Sequence, residues 1–171
     1  MLPDLQHQFD RLEDGRRTLI ETLRPLPDRS LLHKPAPESW SILEEFQHLV
    51  LAEQKTGPDF GAASASEEKN PEMVEVVLQV LDQDMRVDVP DPAMVPDGRV
   101  GFEKLIQDWE TARRRLRHFL ESCGPDDLQT VVSRHPVTGP LAVDDYLRLI
   151  ASHFNHHYRR IEKALAAPDD R

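Results

Sequence analysis

The chain has 171 residues, of which 39% are hydrophobic and 30% are charged, and this composition predicts a single globular domain over residues 1–171. Its 31 acidic and 21 basic residues give a formal net charge of -10. Because phosphate backbones and anionic lipids repel such a surface, we expect neither nucleic acid nor a membrane as a partner.

The cysteine content and the first residues bear on where the protein works. Cys123 is the only cysteine in the sequence, which excludes an intramolecular disulfide and a thiolate metal cluster. Residues 1–5 have neither the positive charge nor the apolar run of a signal peptide, and no apolar run is long enough to span a membrane. We therefore expect a cytoplasmic protein.

Prolines divide the first half of the chain into segments whose apolar residues recur at the spacings of amphipathic helices. A first helix is predicted over residues 4–23, and a loop follows it. Ser41 and Glu44 then form the sequence pattern of a capping box at the start of a second helix over residues 42–55. Residues 57–71 are rich in Gly, Ala, Ser and Pro, which predicts a flexible loop.

The second half contains two more long helices. A short helix is predicted over residues 72–84, although its valines leave a strand as the main alternative, and residues 89–98 hold too many prolines for regular structure. Long helices are predicted over residues 102–121 and 143–166. The arginines of segment 113–117 are interpreted as a solvated helix face. The sequence thus predicts an all-α four-helix bundle with a short extra helix between its second and third long helices.

Histidines carry the strongest functional signal. His153 and His157 lie four residues apart in the fourth long helix, which places their Cβ atoms about 5–6 Å apart on one helix face. Both imidazoles can then bind one ion, at roughly 2.0–2.1 Å for each Zn–N bond. A third ligand has to come from another helix, and His48 is the leading candidate because it lies on the same side as Leu51 and therefore points at least partly inward. Three imidazoles in a core are difficult to satisfy without a metal.

Other polar and aromatic residues receive less specific predictions. Four of them are either supporting groups of the site or solvated surface residues, and the surface interpretation is favoured: Glu44, Glu45, Asn155 and His156. Arg160 and Tyr158 could contact an anionic substrate, although Arg160 could equally pair with a surface carboxylate. We expect Trp40 to pack at a helix start instead of forming a substrate wall, and His135 to have a structural role in a loop. Three histidines are expected to be exposed: His7, His33 and His118.

Two motifs resemble a known family. Residues 38–49, Glu-Ser-Trp-Ser-Ile-Leu-Glu-Glu-Phe-Gln-His-Leu, resemble the second-helix signature of the DinB/YfiT-like superfamily, a Trp-Ser start followed by a His-Leu pair. Residues 135–141, His-Pro-Val-Thr-Gly-Pro-Leu, lead into a His-x-x-x-His pair like the one on that family's last helix. The resemblance implies a four-helix bundle, often a homodimer, that holds one divalent metal ion through His48, His153 and His157.

The chain also departs from the family pattern around these motifs. Arg160 stands where Gln is common, Ala142 stands where a Thr cap is frequent, and residues 154–156 are Phe-Asn-His instead of charged or small polar residues. The ligand positions are unchanged, so the differences bear on the substrate.

The activities that the resemblance implies depend on thiols. They are S-transfer from bacillithiol or mycothiol to an electrophile, and maleylpyruvate isomerisation. Three imidazoles also leave a coordination position open, as catalytic sites do. We therefore expect a metal-dependent transferase that uses a low-molecular-weight thiol and a small-molecule substrate, or a hydrolase. Zinc is the default ion because it is redox-inert and common, while nickel, iron or another transition metal also suits imidazole.

Two alternatives to an enzyme of this kind follow from the residues. A non-catalytic stress protein that binds a metal or a small ligand would need the same histidines. A di-iron carboxylate bundle is suggested by Glu45 and His48, which match Glu-x-x-His, but no second copy of this motif precedes the C-terminal histidines.

Overall fold

The computed structural model describes residues 1–58, 68–83, 85 and 88–166. Their elements, in chain order, are α1 (Pro3–Leu23), α2 (Asp28–Leu32), α3 (Ile42–Thr56), α4 (Pro71–Asp82), a 3-10 turn (Pro92–Met94), α5 (Phe102–Ser122), a second 3-10 turn (Pro125–Asp127), β1 (Val131–His135), β2 (Gly139–Ala142) and α6 (Val143–Ala166). The four long helices α1, α3, α5 and α6 start and end within one residue of their predicted bounds. Within these ranges, no helix is long and apolar enough to cross a membrane.

The short extra helix is confirmed, since α4 is helical and not a strand. The side chain of Asn70 caps it by accepting a hydrogen bond from the amide of Met73 at 3.0 Å. Of the flexible loop predicted over residues 57–71, residues 59–67 lie outside the described ranges.

The prediction of an all-α fold missed a β-hairpin. Strands β1 and β2 pair antiparallel, with His135 opposite Gly139, and Gly139 adopts a positive φ of 76° at the turn. Three consecutive residues of β1, at positions 131–133, are buried. The strand therefore has no apolar–polar alternation, which is the sequence signal by which a half-buried strand is recognised.

Two short helical elements were also missed. Helix α2 lies in the predicted loop after α1, where the carbonyl of Pro27 accepts from the amide of Ser30 at 2.9 Å and the buried Leu31 anchors the turn. A 3-10 turn interrupts the proline-rich stretch over residues 89–98, and it places Met94 in the interior. Both elements are shorter than two helical turns, so neither shows a periodic apolar pattern.

The long helices enclose a core in two parts. Helix α3 packs against α5 and α6, α1 packs against the same two helices, and α4 packs along α6. One part of the core lies beside the hairpin and includes Phe9 and Leu120. The other lies between the opposite helix ends and includes Leu23, Phe46 and Trp109. This packing holds α3 and α6, the two helices that carry the candidate ligands, side by side.

One arginine of the cluster predicted to be solvated lies in the interior. Only 2% of Arg113 is exposed, and its Nη2 contacts Oε1 of Glu53 at 2.6 Å. Its Nη1 lies 3.6 Å from Glu13, which in turn pairs with Arg16 at 2.8 Å. Arg16 also contacts Glu110 at 2.9 Å. We call these five residues the Arg113 network; it links α1, α3 and α5, whereas Arg114, Arg115 and Arg117 are exposed as expected.

Candidate metal centre

The three predicted ligands are on neighbouring faces of α3 and α6. Helix α3 begins at a complete capping box, in which the Glu44 amide donates to Ser41 Oγ at 3.2 Å and the Ser41 amide donates to Glu44 Oε2 at 2.8 Å. This cap fixes the start of the helix about two turns before His48. His153 and His157 follow each other by one turn on α6, which packs against α3.

The imidazoles converge at one point. The Nε2 atom of His153 lies 3.1 Å from Nε2 of His48 and 3.1 Å from Nε2 of His157. All three ligand atoms are within 4.8 Å of one another, so the three histidines are close enough to hold a metal ion. Two nitrogens that bind one tetrahedral zinc ion at 2.0–2.1 Å are about 3.3 Å apart. The observed separations agree with that geometry.

Hydrogen bonds behind two of the rings fix their protonation. Nδ1 of His48 lies 2.8 Å from the carbonyl oxygen of Met94, and Nδ1 of His157 lies 2.6 Å from Oε2 of Glu45. Both partners are acceptors, so each Nδ1 carries the proton and donates it. The Nε2 atoms of His48 and His157 therefore direct lone pairs at His153. This arrangement of an outer acceptor behind a ligand histidine is common in metal sites.

The donor set fits a metal ion because the protein alone cannot satisfy it. Even when His153 carries its proton on Nε2, it can donate to only one of its two neighbours, and one lone pair then remains without a donor. Burial lowers the pKa of His48 and lowers the pKa of His153 and His157 well below the ordinary value, and repulsion from neighbouring histidines adds to the effect on His153 and His157. All three rings are consequently neutral near pH 7, which is the form that binds a cation.

Glu45 is a buried residue of the site and not the surface residue that was favoured. Only 4% of it is exposed. One oxygen accepts from His157, and the other accepts from Nε of Arg160 at 2.8 Å. Burial raises the pKa of Glu45, while the guanidinium of Arg160 opposes the shift. Arg160 therefore pairs with a buried carboxylate, which in turn orients the candidate ligand His157.

The surface interpretation is also wrong for two of the other three residues. His156 is 3% exposed, and its Nδ1 lies 3.0 Å from the carbonyl oxygen of Leu81 at the end of α4. Glu44 is buried in the capping box and contacts Lys34 at 2.8 Å. Asn155 is exposed, as expected. A single sequence gives no signal for the burial of Glu45 and His156 because both take their partners from distant segments, whereas Glu44 is paired locally with Ser41 in the predicted capping box.

Trp40 and His135 border the site. The Trp40 ring centroid lies 4.9 Å from that of His48 and 6.1 Å from that of His157, and the side chain lines a cavity. Trp40 thus forms part of a wall at the site, contrary to expectation. Nδ1 of His135 accepts from the amides of Val137 and Thr138 at 3.3 Å, which confirms its structural role in the hairpin turn.

A cavity of about 600 Å³ opens onto the three histidines. Its volume is within the range of small-molecule sites, roughly 300–1,000 Å³. One wall is the apolar side of α4, formed by five residues: Met73, Val76, Val77, Val80 and Leu81. Val76 is 49% exposed, while Val77 also packs against the core. A ligand beside the histidines would therefore contact an apolar surface.

Comparisons with known proteins agree with this architecture. The sequence profile of the DinB superfamily matches residues 11–161. The fold is similar to that of TT2238, a four-helix bundle protein, with a TM-score of 0.57 and 18% identity over 93% of this chain and 98% of that one. It is also similar to YfiT from Bacillus subtilis, described as a probable metal-dependent hydrolase with an unusual four-helix bundle topology; the TM-score is 0.63, with 11% identity over 96% of this chain and 87% of that one. No curated protein sequence matches the chain significantly.

Proposed function

The chain belongs to the DinB superfamily, and from this premise we propose that it is a metal-dependent enzyme whose ion, zinc by default, is held by His48, His153 and His157. The observation that carries the proposal is the convergence of three Nε2 atoms in a donor set that the protein leaves unsatisfied. Three protein ligands keep a fourth position free for a reacting group, which is the pattern of catalytic zinc sites.

The residues around the centre suit a reaction of small molecules. A bound divalent ion would lower the pKa of a thiol or a water molecule and so supply a nucleophile near pH 7. Glu45 would keep His157 in the ligating tautomer. Trp40 and the α4 wall would shield the reacting groups from bulk water.

We propose thiol transfer as the reaction, with a low-molecular-weight thiol as nucleophile and a small electrophile as acceptor. Such a transfer needs a space for two small molecules at once, and the cavity of about 600 Å³ provides it. Hydrolysis is the second candidate, favoured by the likeness to YfiT. The transfer forms a carbon–sulfur bond and displaces the electrophile's leaving group, with the thiol proton released to solvent. A homodimer remains a further prediction.

Turnover assays on tag-free protein test the proposal. The zinc-loaded protein is incubated with monochlorobimane and cysteine, bacillithiol or mycothiol, and separately with p-nitrophenyl acetate in water. We expect conjugation or hydrolysis that chelation abolishes, that zinc restores, and that His48→Ala removes.

His118→Ala is the matched control, since His118 is an exposed histidine of α5 outside the cavity. It should behave like the wild type. Equal rates in the zinc-loaded, chelated and His48→Ala proteins would contradict the enzymatic proposal. Tight zinc binding without turnover of either kind of substrate would instead favour the non-catalytic alternative.

A further inference from the structure

Arg160 lines the cavity, and only the Nε atom of its guanidinium group is hydrogen-bonded to a described residue. Its Nε donates to Oε1 of Glu45 at 2.8 Å, and 30% of the side chain is exposed. Within residues 1–58, 68–83, 85 and 88–166, its two terminal nitrogens make no hydrogen bond and no ion pair. A guanidinium carries five N–H donors, so the four on these terminal nitrogens remain for a ligand.

The position of Arg160 places these donors close to the reacting groups. It follows His157 by three residues on α6, and residues three apart lie on the same helix face. The Nε bond to Glu45, itself bonded to His157, restrains the group. A guanidinium anchored at Nε can still present both terminal nitrogens side by side, the arrangement that binds a carboxylate through two hydrogen bonds.

Among the charged side chains of the cavity, Arg160 is the one suited to pair with an anionic group of a ligand. Among the lining residues that the structure describes, it is the one lysine or arginine. The buried Glu53 is neutralised by Arg113 at 2.6 Å. Glu38 and Asp88 are exposed members of the lining. A ligand with one negative charge can therefore pair with Arg160, whereas additional negative charge would be repelled by the exposed carboxylate of Asp88.

The α4 wall of the cavity is apolar. Met73, Val76, Val77 and Val80 of α4 face the cavity without a polar side chain among them. Val76 is nearly half exposed. Covering such side chains with an apolar group removes their surface from water and so favours binding.

We propose that the substrate is a small amphipathic carboxylate, whose anionic group binds the terminal nitrogens of Arg160 while its apolar body lies against α4. The inference rests on the proposed function, because it places the substrate's reactive group beside the three histidines. It makes Arg160 a substrate-binding residue and sets the charge specificity of the site.

Binding of a matched ligand pair tests the inference. Isothermal titration calorimetry on zinc-loaded protein compares 4-phenylbutyrate with the neutral 4-phenylbutyramide, in the wild type, Arg160→Gln and Arg114→Gln. A glutamine at position 160 can still donate to Glu45 but has no charge and no fork. Arg114 provides the same charge change at an exposed position of α5 outside the cavity.

We expect the wild type to prefer the carboxylate. The preference should fall about ten-fold or more in Arg160→Gln, in line with hydrogen bonds to charged groups, and should stay unchanged in Arg114→Gln. An unchanged preference in Arg160→Gln would overturn the inference, as would an absence of preference in the wild type.

The structure of zinc-loaded wild type soaked with 4-phenylbutyrate is a second measurement that needs no variant. A carboxylate within hydrogen-bond distance of the Arg160 terminal nitrogens supports the inference, and a carboxylate bound through zinc alone overturns it. Zinc content, measured on each sample, separates the two proposals. Wild-type protein without zinc contradicts the metal centre, whereas zinc retention without an Arg160-dependent preference contradicts only the substrate class.

Discussion

Helix α3 contributes to two polar clusters, one held together by paired charges and one made of neutral imidazoles. Through Glu53 it joins the Arg113 network, and through His48 and Glu45 it joins the histidine centre. In the Arg113 network, cationic and anionic side chains of the protein meet one another. In the histidine centre, three neutral imidazoles direct their nitrogens at a common point.

Because of this difference, we expect the Arg113 network to stabilise the fold and the histidine centre to bind an ion. Arg113 meets Glu53 and Glu13, so the network is held together by the protein's own charges, although Nε and Nη1 of Arg113 make no hydrogen bond. Among the residues that the structure describes, no cationic side chain of the histidine centre meets its Nε2 lone pairs. A polar cluster whose charges are paired within the protein supports the fold, and one whose lone pairs have no donor provides a binding site.

Removal of a histidine should have the largest effect on binding and little effect on the fold. In His153→Ala, two ligands remain and the nitrogen that lies 3.1 Å from both of them is lost. We expect the tag-free variant to retain almost no zinc by elemental analysis after dialysis. The rise in melting temperature that zinc gives the wild type should also vanish, because that rise comes from binding to the folded state.

His118→Ala is the control for this experiment and should retain zinc like the wild type, since His118 is exposed on α5. Equal zinc content in His153→Ala and the control would show that the ion is held elsewhere.

Removal of a charge from the Arg113 network should lower the stability of the fold and leave zinc binding unchanged. Arg113→Met leaves the carboxylate of Glu53 buried without its partner. Breaking a buried ion pair in this way typically costs about 3–5 kcal/mol of unfolding free energy. We expect a loss of this size in urea denaturation of the chelated protein, with the zinc content of the folded protein unchanged.

The double variant Arg113→Met/Glu53→Leu sharpens this result. It removes both charges, so most of the lost stability should return. A stable Arg113→Met protein that no longer binds zinc would mean that the two clusters are coupled and the comparison is wrong.

The sequence was sufficient for the parts of the molecule that depend on local pattern. The bounds of α1, α3, α5 and α6 follow from apolar periodicity and helix caps, and Ser41 and Glu44 form the capping box that their spacing predicts. The His153 and His157 pair follows from helix geometry, and its convergence with His48 matches the predicted set.

Features that depend on distant partners could not be predicted in the same way. Arg113 looks like a surface arginine until Glu53, sixty positions away, is placed beside it. Glu45 and His156 look like surface residues until α6 meets α3 and α4. The hairpin was not predicted because three consecutive residues of β1 are buried, so the strand has no apolar–polar alternation. In each case the deciding contact is set by tertiary packing.

Glu45→Gln tests whether the carboxylate behind His157 belongs to the binding cluster. Glutamine can still accept from Nδ1 of His157 but lacks the negative charge that polarises the ring. Loss of such an outer contact typically weakens metal binding about 10–100-fold. We expect an effect of this size in a competition titration with a chromophoric zinc chelator.

Glu44→Gln is the matched control, because Glu44 is the neighbouring buried glutamate and glutamine also serves in a capping box. It should leave zinc affinity unchanged. Equal zinc affinities in Glu45→Gln and Glu44→Gln would show that the Glu45 carboxylate does not contribute to zinc binding.

The smallest expected effect concerns the start of α3, the helix that the two clusters share. Ser41→Ala removes the hydroxyl that accepts from the Glu44 amide at 3.2 Å, and loss of an N-cap side chain costs about 1 kcal/mol of unfolding free energy. Zinc affinity should not change, because His48 lies two turns further along and is held by the Met94 carbonyl at 2.8 Å. Urea denaturation and the chelator competition measure the two quantities. If zinc affinity fell with stability, the position of His48 would depend on the helix cap, and the binding cluster would not be independent of the elements that stabilise the fold.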